Sequence, residues 1–149
     1  MKIKITPLLT AGTLVMVIYT SCHKHDTPTL NDTESKLVGT WLTRKITVEQ
    51  TGQPPMVMSG INDACYYIIF KNAPYPHSNS GLYTNTKWAE DWKDCSKKLN
   101  AWKVDNNGKL LLASLDTLYA DILILEKDTL AFKTTSPGNP DQHITYEFR

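Results

Sequence analysis

The sequence predicts an all-β fold: a small antiparallel up-and-down β-barrel of about eight strands, with a short amphipathic helix inserted between strands 3 and 4. Three observations carry this expectation. Short apolar, β-branched and aromatic runs recur after Val38, many of them alternating with polar residues. Most are separated by connections of hairpin scale. A chain of 149 residues with 41% apolar content supplies one core and one domain.

Taken in order, Trp41 to Gln50 carries Leu42, Ile46 and Val48 on one face, and Cys65 to Lys71 (CYYIIFK) is an apolar run bounded by turn residues. Gly81 to Asn85 supplies a third strand. Thr86 to Asn100 breaks the pattern, because Trp88, Trp92, Cys95 and Leu99 fall at i, i+4, i+7 and i+11 with charged residues between them. That spacing predicts an amphipathic helix of about three turns. Ala101 to Val104 and Lys109 to Ser114 then flank Asp105-Asn106-Asn107-Gly108, where Asn-Gly supplies the positive φ angles of a tight hairpin. Leu118 to Leu125 and Thr129 to Thr134 flank Glu126-Lys127-Asp128 in the same way. His143 to Arg149 alternates Ile144, Tyr146 and Phe148 with polar residues, as a half-buried closing strand does. Such a meander can close into a barrel and so remove its edges, or stay open as a sandwich; periodicity does not separate the two.

Charge narrows the function classes. With 16 Lys and Arg against 15 Asp and Glu the net charge is +1, and no basic stripe exists to hold phosphates, so no nucleic-acid partner is expected. Three Cys is an odd number, which leaves one thiol over or gives one cysteine a task other than pairing.

Residues 1–21 differ from the rest. Lys2 and Lys4 precede an apolar stretch from Leu8 to Tyr19, the length of a signal-peptide core and short for a membrane span. The stretch ends in Tyr19-Thr20-Ser21-Cys22, which resembles the lipobox of bacterial lipoproteins, although Tyr19 stands where that pattern prefers Leu or Val. The resemblance implies cleavage before Cys22, lipidation of Cys22 (palmitate among its acyl chains) and tethering to the membrane; an ordinary secretory signal with an incidental thiol is the alternative. His23 in place of Asp favours the outer membrane within the cell envelope, on its periplasmic or its surface face. The expected organisation is a signal peptide at 1–21, a lipidated flexible tether at 22–35 and the β-barrel domain at 36–149. Removing 21 residues from 149 leaves 128, and the loss of two lysines takes the net charge from +1 to −1. His23, His25 and Asp26 in the tether could chelate a metal, but a structural site collects four fixed ligands, and no metal site is expected.

With Cys22 assigned to lipid and the chain to an oxidising compartment, Cys65 and Cys95 are expected to pair. In a meander, the loop at 51–64 and the insert at 86–100 emerge at the same end, so the bridge fits the topology. A nucleophilic cysteine would need a base held beside it, and His77 falls in a loop and His143 at the loop edge of the closing strand.

Leu37-Val38-Gly39-Thr40-Trp41 resembles the Gly-x-Trp motif that opens the lipocalin barrel. Trp102-Lys103-Val104, Leu110-Leu111-Leu112, the run Tyr119 to Leu130 and the closing Tyr146-Glu147-Phe148-Arg149 resemble the later strands of bacterial lipocalin-like lipoproteins. The likeness spans about residues 36–149 and implies a small calycin barrel in which Gly39 and Trp41 mark the closed end. It also implies a basic residue from a late strand against the motif tryptophan, Arg149 or Lys133. The chain is shorter than typical lipocalins and carries the Trp-rich insert.

If Trp41 marks the closed end, the long loops collect at the other. There Met56, Met58, Trp88 and Trp92 form an apolar rim, the expected binding site of a small hydrophobic ligand. The competing expectation is that the insert packs over the mouth as a lid. No Gly-x-Ser-x-Gly, His-Glu-x-x-His, Cys-x-x-Cys or phosphate-cradling glycine loop is present, so neither enzymatic activity nor a cofactor is expected. The functional expectation is a membrane-anchored lipocalin-like binder of a small hydrophobic ligand. The alternative is a non-enzymatic envelope module that contacts a protein or polysaccharide partner through its loops.

Overall fold

The computed structural model describes residues 27–61, 64–74, 87–114 and 117–149. One helix, α1 (Asp32–Leu37), precedes nine strands: β1 (Gly39–Gln50), β2 (Met56–Ser59), β3 (Tyr67–Pro74), β4 (Lys87–Lys93), β5 (Ser96–Val104), β6 (Lys109–Ala113), β7 (Thr117–Glu126), β8 (Thr129–Ser136) and β9 (Asn139–Phe148). All pair antiparallel in a single sheet of order β2-β1-β3-β4-β5-β6-β7-β8-β9, and β1 also pairs with β9, from Thr43↔Phe148 to Gln50↔Gln142. The sheet thus closes into a ring. β1 is long enough to serve three neighbours: on one edge its first half pairs with β3 and its second half with β2, while its other edge takes β9.

The all-β expectation and its hairpin turns agree with this architecture. The turn at 105–108 carries Gly108 at φ 78°, and the Asp105 carboxylate accepts from the backbone N–H groups of Asn107 and Lys109. The expected strand at Gly81–Asn85 lies outside the described residues.

The expected helix at 86–100 does not form. β4 and β5 make a continuous hairpin from Lys87↔Trp102 to Lys93↔Ser96, turning at Asp94 and Cys95. Both turn residues have positive φ, 51° and 59°, the left-handed pair that a two-residue hairpin requires. The helical spacing misleads because Trp88 and Trp92 are also an even number of residues apart, so they share one face of a strand as well as one face of a helix. On β4 the fully buried positions are the alternate ones, Lys87 and Ala89, while Trp88, Glu90 and Trp92 are half-buried. The helical lid expected over the mouth is absent with it.

The core fills the ring. Trp41, Ile68, Phe70, Ala89, Trp102, Val104, Leu110, Leu112, Ala120, Leu130, Phe132 and Phe148 form one buried cluster with Leu37 of α1. Phe70 meets Trp102 edge-on at 5.1 Å between ring centroids, and Phe132 lies 5.3 Å from both Tyr146 and Phe148. Trp102 is 1% exposed, and its indole N–H donates to the carbonyls of Lys71 and Trp88 beside the irregularity between Lys71 and Pro74 in the β3–β4 ladder. A buried indole needs such an acceptor.

α1 plugs one end of the ring. Its N-cap is a capping box: the Asn31 side chain accepts from Glu34 N–H and Glu34 accepts from Asn31 N–H. Residues 31–35, given to the tether on their polarity, thus carry the start of the plug. Leu37 is fully buried and accepts from the Trp41 indole N–H through its carbonyl at 2.8 Å. Gly39 turns the chain from helix into β1 at φ 148°. There is room for a side chain at that position, so conformation alone calls for glycine.

Candidate functional site

The open end of the ring is built by the β4–β5 turn, by the residues leading into β3, and by the late half of β1 with the early half of β9. Cys65 and Cys95 are joined by a disulfide at this end, and Cys95 N–H donates to the Cys65 carbonyl. The Tyr66 hydroxyl donates to Asp94 on the same turn. The expected pairing of these cysteines is therefore present, and it fixes the β4–β5 hairpin to the segment that enters β3.

Below the turn, β4 places Asp91 and Lys93 on its inner face. The Lys93 ammonium reaches across the ring to β9, donates to the Tyr146 hydroxyl at 3.2 Å, and lies 4.8 Å from the centre of that ring. Asp91 stands 3.8 Å from Lys93. Burial pushes the Asp91 carboxyl above the ordinary aspartate range, and the charges of Lys93 and Lys98 offset part of that shift. Burial works to lower the Lys93 pKa, but the Asp91 charge and the Tyr146 hydroxyl prevail, and it lies above the ordinary lysine value.

Beneath this bridge Ile46, Ile68, Leu112, Leu118, Phe132 and Phe148 line a cavity of about 40 Å³. That is room for roughly three water molecules. Pockets that take a drug-sized ligand run to roughly 300–1,000 Å³.

Of the four residues expected to bind ligand, Trp92 alone reaches this cavity, and its ring stacks on Tyr67 at 5.4 Å. Trp88 lies under the Lys71 ammonium at 4.6 Å. Met56 and Met58 are exposed on β2, at 57% and 43%, and do not line the cavity. Arg149 exchanges both backbone hydrogen bonds with Leu42, and Lys133 pairs with Glu49 at 2.7 Å. Cys22, His23 and His25 lie outside the described residues. Among the described residues no group of three or more His, Cys, Asp or Glu side chains could hold a metal ion.

At the closed end, Glu34 and Lys87 form a buried ion pair of 2.8 Å, their side chains 6% and 4% exposed. Glu34 also accepts from Val104 N–H at 3.0 Å, and Lys87 lies 5.0 Å from the centre of the Trp102 ring. This pair locks the plug to β4 and β5.

No family model, curated protein or solved structure matches the chain.

Sequence reasoning missed Asp91, Lys93 and Tyr146 as a unit. The signal available was the alternation of Lys87, Ala89, Asp91 and Lys93, which marks an inward stripe only once residues 87–93 are read as a strand.

Proposed function

We propose that the protein is a membrane-tethered, lipocalin-like module of the bacterial envelope, non-enzymatic, whose packed barrel serves as a scaffold and whose partner is met on the outside. The observation that carries this reading is the interior: the described core is packed with the ring's own aromatic side chains, and the cavity under the Asp91–Lys93 bridge measures about 40 Å³, well short of a pocket for a hydrophobic small molecule. The position of α1 supports it. The described chain enters at the closed end, so a lipid on Cys22 would hold that end toward the bilayer and the β4–β5 turn away from it.

A second reading has one observation in its favour. Asp91 and Lys93 meet at the mouth above an apolar cavity, so a small amphipathic ligand could displace Tyr146 from Lys93 and enter there.

Titration of the soluble domain, residues 27–149, with fatty acids, sterols and haem separates the two, because Trp92 borders the cavity. The module reading predicts unchanged tryptophan emission throughout. A saturable change with any of these probes overturns it in favour of the second reading.

A further inference from the structure

Ring closure has a seam. β7 and β8 pair from Glu126↔Thr129 to Ala120↔Thr134, and there the ladder stops. Above it, Thr117 to Tyr119 pair only with β6, while Thr135 and Ser136 pair only with β9. The last tie is a side chain: the Thr134 hydroxyl, 4% exposed as a residue, donates to the Tyr119 carbonyl at 3.0 Å. Where the strands part, at the open end of the ring, a groove of about 460 Å³ opens on the outer surface, within the size range of small-ligand sites.

Its walls narrow the chemistry. Tyr119 borders the groove and is 57% exposed, a large aromatic surface left in water. Around it stand Lys109, Asp121, Lys133, Thr135 and His143. Among the described residues of the groove both lysines are already matched, Lys109 with Asp121 at 2.9 Å and Lys133 with Glu49 at 2.7 Å, so neither is an unpaired lysine that would recruit an anion. A lipid chain would meet a largely polar lining. The unpaired stretches of β7 and β8 are too short to seat an added peptide strand, which needs a row of ladder bonds.

One ligand class fits an exposed aromatic ring ringed by paired charges and hydroxyls. We propose that this groove binds a neutral saccharide, with Tyr119 as the platform for one sugar face. The axial C–H bonds of a pyranose carry partial positive charge and lie against the electron-rich face of an aromatic ring. Its hydroxyls both donate and accept, so Asp121 and Lys133 can each keep an ionic partner and bond a sugar oxygen with remaining capacity. Thr134 holds the Tyr119 backbone in place, so the platform is set before the ligand arrives. The inference deepens the module reading and rests on it, since it places the partner on the outer face.

The test is nuclear magnetic resonance mapping of isotopically labelled domain against neutral gluco-, galacto-, manno- and xylo-oligosaccharides, with oligogalacturonate as the charged control. The expected result is saturable shifts confined to Tyr119, Asp121, Thr135 and His143 with at least one neutral probe, little changed by salt. Tyr119→Ala should weaken binding about five- to tenfold, while Tyr119→Trp keeps or tightens it. Asp121→Asn, which leaves the platform intact, serves as a second variant and should also weaken binding if Tyr119→Ala fails to fold. Absence of shifts with every neutral probe, preference for the charged control, or indifference to both the Tyr119→Ala and Asp121→Asn changes overturns the saccharide assignment. A saturable response to lipophilic probes in the interior would instead overturn the module reading, so the two failures are distinct.

Discussion

Glu34 shows how one side chain can hold an element. It closes the capping box of α1, pairs with Lys87 inside the ring and accepts from Val104 N–H. Burial works to raise its pKa; the hydrogen bonds from Lys87, Val104 and Asn31 and the Lys87 charge outweigh that, so the carboxyl titrates below its ordinary value of 4.5. A depressed carboxylate contributes stability that is fully present above the unfolded value and lost as pH falls through the folded one. Urea unfolding of the wild type should therefore show stability dropping at pH below about 4.5. Glu34→Ala strands the Lys87 charge in the core and should cost about 3–5 kcal/mol at neutral pH, much of it recovered by Glu34→Ala with Lys87→Met. A loss under about 1 kcal/mol for the single change would mean that water reaches Lys87. The capping spacing Asn31-x-x-Glu34 was visible in the sequence. Its partner was not, because nothing local to residue 87 says that a lysine points inward.

At the scale of elements, the β4–β5 hairpin is the instructive one. Hairpins announced by Asn-Gly, or by short polar turns between alternating strands, were legible, because their turn chemistry and periodicity agree. β4 and the first half of β5 were not, although Ala101 to Val104 was: the turn uses Asp94 and Cys95, neither of them glycine, and the inward positions include Lys87 and Asp91. What holds that turn is long-range, the disulfide to Cys65 and the hydrogen bond from Tyr66 to Asp94. β2 was missed for a different reason: its four residues are all exposed, so burial imposes no alternation on them. The bridge itself was legible, from the expected compartment and the cysteine count. Its sequence separation of 30 makes loss of the cross-link worth about 3.5–4 kcal/mol in the chain-entropy account. Replacing both Cys65 and Cys95 with Ser should lower the unfolding free energy in urea by that amount, with β4–β5 amides showing the largest gain in hydrogen exchange. Unchanged stability would place the hairpin's support elsewhere.

For the whole molecule, closure was expected only as one of two outcomes, since strand periodicity is the same in a sandwich and in a ring. What decides it is the pairing of β1 with β9, between residues about a hundred positions apart. Among the described residues, closure with α1 at one end leaves the mouth at the other, and the aromatic side chains of β8 and β9 then determine how much space lies under it. The sequence showed those side chains as an alternating apolar stripe without showing how they interlock, so of the apolar rim it suggested only Trp92 borders the small cavity observed. The proposed function follows the packed interior outward, to the rim and to the seam between β7 and β8. Native mass spectrometry of the domain, purified gently from a bacterial envelope extract, tests this most directly. The packed-scaffold account predicts the apo mass with the disulfide formed; a stoichiometric adduct of a hydrophobic small molecule would contradict it.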